Sequence, residues 1–312
     1  MIVTVTPNTS IDKAYTISSV LERGCVTRVK TVLDNAGGKG LNASRSIKTC
    51  GEQVVATGFA GGNNGRMLCE ILASQGISEN FVRVKNETRC CINVLESDGT
   101  STELLEPGRA VDLEEISELK HIVSELTSSA DVVTINGSLP VGCNSNLYRD
   151  LISRIKACGK PVILDTSGKL LVESLQASPT MIKPNIDEIS QILGKKVANI
   201  NEIVSAAYEI HEKYNIDQVV VSLGSKGSVL VCKKGTWRVT PPTIDVINPV
   251  GSGDTMVGAF AVAMSRGMQP ADQLMFASAC ATANCLTPQT GSFEYETALK
   301  IQDEMHVEKL QD

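Results

Sequence analysis

The feature that most narrows the fold is a rhythm of short β-branched runs separated by amphipathic segments of helical length. Val54 to Phe59 reads as a strand and Asn64 to Gln75 as a helix, with Leu68, Ile71 and Leu72 on one face and Gly76 as its stop. Asp131 to Ile135 is another strand, followed by a helix over Asn144 to Cys158 whose Leu147, Leu151 and Ile155 share a face before Gly159. Strands at Pro161 to Leu164, Thr180 to Ile182 and Gln218 to Ser222 continue the series, with helical sequence between them. Strands spaced by helices in this way pair in parallel through right-handed crossovers, so the expected class is α/β with a mostly parallel sheet. With 312 residues the chain can bury about three quarters of its unfolded surface without disulfides or metals.

Two stretches break the rhythm. Asp12 to Leu33 and Thr88 to Glu106 are strand-like, with polar turns such as Ser97-Asp98-Gly99 and no helix between strands. Such strands have no core of their own, and the alternation of Cys90 to Leu95 leaves one face in need of cover. They are expected to form a small β-sheet lid (12–33 and 88–106) on a core made of 1–11, 34–87 and 107–312. An exposed lid face is also what a homodimer would bury.

Composition excludes several classes of function. The net charge is −6, which disfavours a duplex nucleic-acid binder, because that binding is driven by basic surface. No window approaches the ~20 apolar residues of a spanning helix, and the N-terminal strand-like run is not a signal peptide. The ten cysteines are scattered without a Cys-x-x-Cys, and the three histidines (His121, His211, His306) are far apart in sequence. Zinc sites and histidine-dependent nucleophiles are therefore disfavoured, and a reducing, cytoplasmic setting is the expectation.

Chemistry concentrates in glycine-rich turns. In Ala36-Gly37-Gly38-Lys39-Gly40-Leu41-Asn42, glycines run into a helix ending near Cys50, so backbone and helix-opening N–H groups can approach hydroxyls or an anion, with Lys39 as a point charge. In Asn248-Pro249-Val250-Gly251-Ser252-Gly253-Asp254, the N–H groups of Gly251, Ser252 and Gly253 would make an anion hole at a helix start, with Asp254 in the first turn. Glycines beside a carboxylate suit phosphoryl transfer: the loop stabilises the moving group and the carboxylate takes the acceptor's proton. Asn185 and Glu188 have the spacing of a capping box, and with their helix start at the carboxyl edge of the sheet they would also lie where ligands bind in open α/β folds. Asp165 ends a strand on the same edge and can approach a phosphate-bound magnesium ion directly or through water. Ser222-Leu223-Gly224-Ser225-Lys226-Gly227 fits either a hairpin turn or backbone laid against a nucleotide. Asn8 and Asp12 follow the first strand, and Arg28 and Arg89 lie in the two lid segments as forks for phosphate. Neither a Walker A loop nor a Gly-x-Gly-x-x-Gly dinucleotide fingerprint occurs, which counts against a dehydrogenase.

Taken in order, these segments resemble the PfkB family of carbohydrate kinases, with the ribokinase-like three-layer fold. The matches are Asn8 and Asp12, Gly37-Gly38-Lys39-Gly40-x-Asn42, Thr88-Arg89, Gly137-Ser138-Leu139-Pro140, Asp165-Thr166-Ser167-Gly168, Lys183-Pro184-Asn185-x-x-Glu188 and Gly251-Ser252-Gly253-Asp254. Within the family the chain is similar to the branch of tagatose-6-phosphate kinase and 1-phosphofructokinase. It departs at Asn248-Pro249, where the wider family has Asp-Thr, and around Asn8, where Pro7 and Thr9 stand in place of the branch's Leu and Pro.

The resemblance implies an ATP-dependent transfer to a hydroxyl of a phosphorylated ketohexose, D-tagatose 6-phosphate or alternatively fructose 1-phosphate. It implies Asp254 as base, with Gly251, Ser252 and Gly253 stabilising the phosphoryl group. Asn8, Asp12, Arg28, Gly37, Gly38, Lys39, Asn42, Arg89 and Ser138 would hold the sugar phosphate. Lys183, Asn185, Ser222, Gly224, Gly227, Ser252, Gly253 and Asn284 would hold the nucleotide. Asp165, Asn185 and Glu188 would organise Mg2+. A catalytically silent sugar-phosphate sensor on the same fold is the alternative of a different class, and it would have no need of Asp254 beside its glycines.

Overall fold

The computed structural model describes residues 1–311. Parallel strands covered on both faces need apolar residues at consecutive positions, and Ile2–Thr6, Val132–Asn136 and Val162–Asp165 are buried along their whole length. Eleven strands form the large sheet. Its order runs His306–Gln311, Gly235–Thr240, Ser228–Cys232, Gln218–Ser222, Met181–Ile182, Val162–Asp165, Val132–Asn136, Ile2–Thr6, Val54–Gly61 and Ser78–Glu79. Val82–Val84 pairs further along Val54–Gly61. Neighbours are parallel from Gln218–Ser222 to Ser78–Glu79, and the remaining three strands are antiparallel.

Alternate strand residues feed opposite layers. Ile2 belongs to the core shared by helices Lys39–Thr49, Gly62–Ser74, Ser252–Ser265, Pro270–Asn284 and Tyr295–Glu304. Val3 and Val5 pack with Leu113–Ser129, Ser145–Ala157, Ile186–Leu193 and Ile200–Tyr214. The first strand lies between Val54–Gly61 and Val132–Asn136, so the loops at its carboxyl end lead away to opposite sides. That divergence opens a crevice at the carboxyl edge, where Asn136, Asp165 and Ser222 end their strands and Lys183 follows Met181–Ile182.

Over this crevice lies a four-stranded sheet in the order Thr31–Gly37, Ser10–Thr16, Arg89–Leu95, Ser101–Leu105. The strands begin at Ser10 and run to Gly37, beyond the expected Asp12 and Leu33, because antiparallel pairing continues until the glycines turn into helix Lys39–Thr49. The register sets Asp12 opposite Asn35 and Cys91, and Asn93 opposite Glu103, so these residues share the face that looks into the crevice. Val26, Val32 and Leu104 are exposed on the lid.

Helix Ser252–Ser265 is buried from Thr255 to Ala263 and rests on helix Lys39–Thr49. Small residues permit this: a Cβ at Gly258 would sit 2.6 Å from the Ala43 carbonyl oxygen. In an exposed helix, glycine to alanine gains ~1 kcal/mol. Here the contact is backbone and cannot rotate away, so Gly258→Ala is expected to lose ~1–3 kcal/mol through overpacking. Urea unfolding at unchanged m-value measures this, and a midpoint at or above that of the parent protein would show that the two helices separate freely.

Candidate active site

A cavity of about 400 Å³ lies beneath the lid, with Asn8, Asp12, Gly38, Lys39, Asn42, Arg89 and Ser138 in its wall. Helix Lys39–Thr49 starts at Gly38, at the carboxyl edge of the sheet, which points its first side chains into the crevice. Gly37 is the last residue of the lid strand and lies against the Asp12 carboxyl group. Burial raises the pKa of Asp12, while a hydrogen bond from Ser10 Oγ (2.6 Å), Arg45 and Arg89 pull the other way. Asn8 is less available than expected, since its Nδ2 donates to the Pro107 carbonyl (3.1 Å) and to Ser138 Oγ (3.0 Å). Arg28 is exposed in the loop between two lid strands and does not line this cavity.

Behind the cavity sits a charge cluster. Asp165, 4% exposed, lies 3.2 Å from Lys39 Nζ and 3.5 Å from Lys183 Nζ. Burial alone would raise the Asp165 pKa, but the two lysines outweigh it and hold the carboxyl below the usual range. Lys39 is held above the ordinary lysine range, chiefly by Asp165 and further by Asp254 and Glu188. Asp254, in the first turn of helix Ser252–Ser265, is pushed up to about 6 by burial and then by the Asp165 charge; Lys39, Asn42 and Lys183 partly offset this. Its Oδ2 accepts a 2.6 Å hydrogen bond from Asn42 Nδ2.

The loop before Asp254 is stitched by its own side chains. Asn248 Oδ1 accepts from the Val250 N–H at 3.0 Å, and Asn248 Nδ2 donates to the Pro288 carbonyl at 3.0 Å. Gly251 then takes φ +79°, a left-handed turn with Thr290 packed against it. The Ser252 N–H turns back to the Pro249 carbonyl at 3.3 Å, while the N–H groups of Gly253 and Asp254, in the first turn of the helix, have no carbonyl a turn earlier within the helix to bond. Ser252 and Gly253 also line a second cavity of about 440 Å³, together with Ser222, Gly224 and Gly227. Residues Ser222 to Gly227 are the turn between antiparallel strands, closed by the Leu223 N–H to the Gly227 carbonyl (2.8 Å).

Other expected nucleotide residues stand elsewhere. Asn284 is fully buried, donates to the Val250 carbonyl (3.1 Å) and accepts from Thr255 Oγ1 (3.3 Å), so it braces the loop from behind. Asn185 and Glu188 form the capping box of helix Ile186–Leu193. Lys183 joins the Asp165 cluster and does not line the second cavity. Among the described residues no group of three or more His, Cys, Asp or Glu is placed to hold a metal ion.

The residue that sequence reasoning missed is Arg45. It lies one turn after Asn42, lines the first cavity and donates to the Ala36 carbonyl (2.9 Å), the Thr290 carbonyl (3.3 Å) and Asn42 Oδ1. Its one signal in the sequence is the i+3 spacing from Asn42, which equally fits a solvated helix charge.

A lid cavity walled in part by Asn42, which is hydrogen-bonded to Asp254, and a second cavity walled in part by Ser252 and Gly253 at the start of the same helix suit transfer of a charged group between two small molecules. Comparison with known proteins agrees with this. Residues 6–298 match the model of the pfkB family carbohydrate kinases. The chain is 39% identical over 293 residues to a tagatose-6-phosphate kinase of Staphylococcus epidermidis, covering 93% of this chain and 94% of that one. The Escherichia coli phosphofructokinase-2 in complex with fructose-6-phosphate superposes with a TM-score of 0.91 at 28% identity, over 97% of this chain and 98% of that one. An Arabidopsis thaliana ribokinase complexed with ribose and ATP shares the fold, with a TM-score of 0.79 at 24% identity, over 96% and 98% of the two chains. The chain belongs to the pfkB family of carbohydrate kinases, ATP-dependent phosphotransferases.

Proposed function

We propose that this kinase transfers the γ-phosphoryl group of ATP to a hydroxyl of D-tagatose 6-phosphate, giving D-tagatose 1,6-bisphosphate. The observation that carries the reading is the position of Asp254, hydrogen-bonded to Asn42 of the lid cavity and preceded by Ser252 and Gly253 of the second cavity. A sugar hydroxyl near Asn42 lies within reach of a carboxylate able to take its proton, and the first-turn N–H groups face the phosphoryl group being transferred. Asp12 and Asn42 would hold sugar hydroxyls. The second cavity would hold the nucleotide, its base and ribose near Ser222, Gly224 and Gly227.

Support for an acceptor that already carries phosphate comes from the cations on the first cavity. Arg89 donates to the carbonyls of Glu106 (2.8 Å) and Asn8 (3.1 Å), which leaves its buried Nε without a protein partner. Together with Lys39 it offers a phosphate a charge-assisted donor set. The choice of tagatose rests on the Staphylococcus relative.

The donors present suit magnesium bound mainly through nucleotide phosphates and water. Glu188 uses Oε2 to accept from the Asn185 N–H (2.9 Å), leaving Oε1 as an acceptor, and Asp165 lies on the same sheet edge. These two carboxylates would hold the ion and its waters, and the ion would neutralise charge on the phosphates.

The first test is ADP release with tagatose 6-phosphate, fructose 1-phosphate, fructose 6-phosphate and ribose, compared by kcat/KM. Preference for tagatose 6-phosphate is expected, preference for fructose 1-phosphate would move the substrate while keeping the mechanism, and turnover of ribose alone would refute the phosphate site.

Asp254→Asn is expected to lower kcat by about 10²–10⁴, the range of a general base. In the parent enzyme kcat/KM should fall below about pH 6 as Asp254 becomes protonated. A carboxyl whose pKa is raised by folding favours the protonated folded state, so stability drops as pH rises from the ordinary carboxylate range through about 6. Asp254→Asn should therefore resist urea better than the parent at pH 8 and lose that advantage near pH 4. Normal turnover in this variant would remove Asp254 from the mechanism.

Arg89→Ala should raise KM for the phosphosugar about tenfold or more, the loss of a charged hydrogen bond, and leave KM for ATP unchanged. Equal effects on both substrates would refute its assignment to the sugar's phosphate.

A further inference from the structure

We infer that Arg45 is a positioning residue: by holding the side-chain oxygen of Asn42 it turns the Asn42 amide so that its NH2 group faces Asp254. The inference rests on the reading of Asp254 as the base and adds the element that orients it.

A primary amide has two ends of nearly equal shape, so packing alone does not choose between them. Its neighbours do. Arginine has only donors and accepts nothing, so the end of Asn42 that meets the Arg45 Nη2 must be the oxygen. The nitrogen then lies 2.6 Å from Asp254 Oδ2, where a flipped amide would set oxygen against carboxylate.

Arg45 is itself fixed at three points from three parts of the chain. Nη1 reaches the carbonyl of Ala36, next to last in the lid strand, and Nε reaches the carbonyl of Thr290. Thr290 packs on Gly251, and Gly291 packs on Asn42. The planar guanidinium therefore spans the lid strand, the loop beside the phosphoryl-facing turn and the Asn42 amide at once. A lysine, with one nitrogen on a flexible stem, cannot reproduce that fork. Desolvation lowers the Arg45 pKa to about 10, with the carboxylates of Asp12 and Asp254 opposing the drop, so the side chain stays charged throughout the working range.

Carboxyl carbon-13 NMR of the unliganded protein, with Asp254→Asn used to identify the Asp254 signal, reads the orientation without turnover. Loss of a hydrogen bond to the carboxylate raises its pKa. Asn42→Ala should move the Asp254 titration up by about half a unit or more. Arg45→Lys should do nearly the same although the charge is kept, and should add little in the Asn42→Ala background. Its kcat should fall on the order of tenfold, with KM for the phosphosugar changing less than about threefold. A wild-type titration in Arg45→Lys would overturn the proposal, because charge alone would then suffice. An additive shift in the double variant would overturn it as well, since Arg45 would then act independently of Asn42. A rise in phosphosugar KM with kcat and titration intact would instead make Arg45 a direct substrate ligand. Arg45→Met, which removes the charge as well as the fork, should shift the titration at least as far; should it fail to fold, the Arg45→Lys comparison still decides. If Asp254→Asn turned over normally, the base reading would fall while the titration still reported whether Arg45 orients Asn42.

Discussion

The Asp165 carboxylate, held between Lys39 and Lys183 where the parallel strands end, is the interaction on which the rest of the site depends. A charge buried to that degree is tolerable only with partners in place, and removing one partner of such a group is far more costly than never having built the pair. The arrangement fixes Lys39 at the start of one helix and Lys183 at the end of a strand. It also places the Lys183 ammonium against Gly253, where a Cβ would lie 3.3 Å from Nζ. The turn that leads into Asp254 is thus registered to the sheet through an ion cluster as well as through helix packing. The same negative charge helps raise the Asp254 pKa, so one carboxylate both locates the turn and tunes its neighbour.

Much of this is legible in the residues, for reasons that differ from element to element. Strand Gln218–Ser222 is centred on its β-branched run Val219 to Val221, because those positions are buried in the sheet and must be apolar. Asp254 stands where its glycines and helix start indicate, in the first turn, a place where a carboxylate also complements the helix dipole. The lid limits read from sequence fall short by a few residues, since the glycines after Asn35 look like the end of a strand but still carry its ladder to Gly37.

Arg28, Asn284 and Arg45 show what local sequence does not carry. Arg28 has the company of a lid strand in sequence yet lies exposed in the connecting loop. Asn284 sits near the loop before Asp254 but is turned inward, where its amide braces Val250 and Thr255. Arg45 reads as an ordinary helix-surface charge until Thr290, from the other end of the chain, is packed over it. For Asn284 and Arg45 the deciding neighbour is distant in sequence, and no periodicity or motif spacing reports it.

The contacts around Gly258 and Arg45 have a consequence for how such a molecule can change over time. The walls of the first cavity come almost wholly from residues before 168, while the second cavity is built only from residues after 221. Links between the two include Asn42 to Asp254, Arg45 to Thr290, Ser46 to Thr255 and Ala43 against Gly258. Chain segments divided in this way can diverge at different rates. On the proposed assignment of the cavities to sugar and nucleotide, substitutions in the lid would retune which sugar is accepted while the nucleotide half is inherited unchanged, so long as the seam residues are kept together.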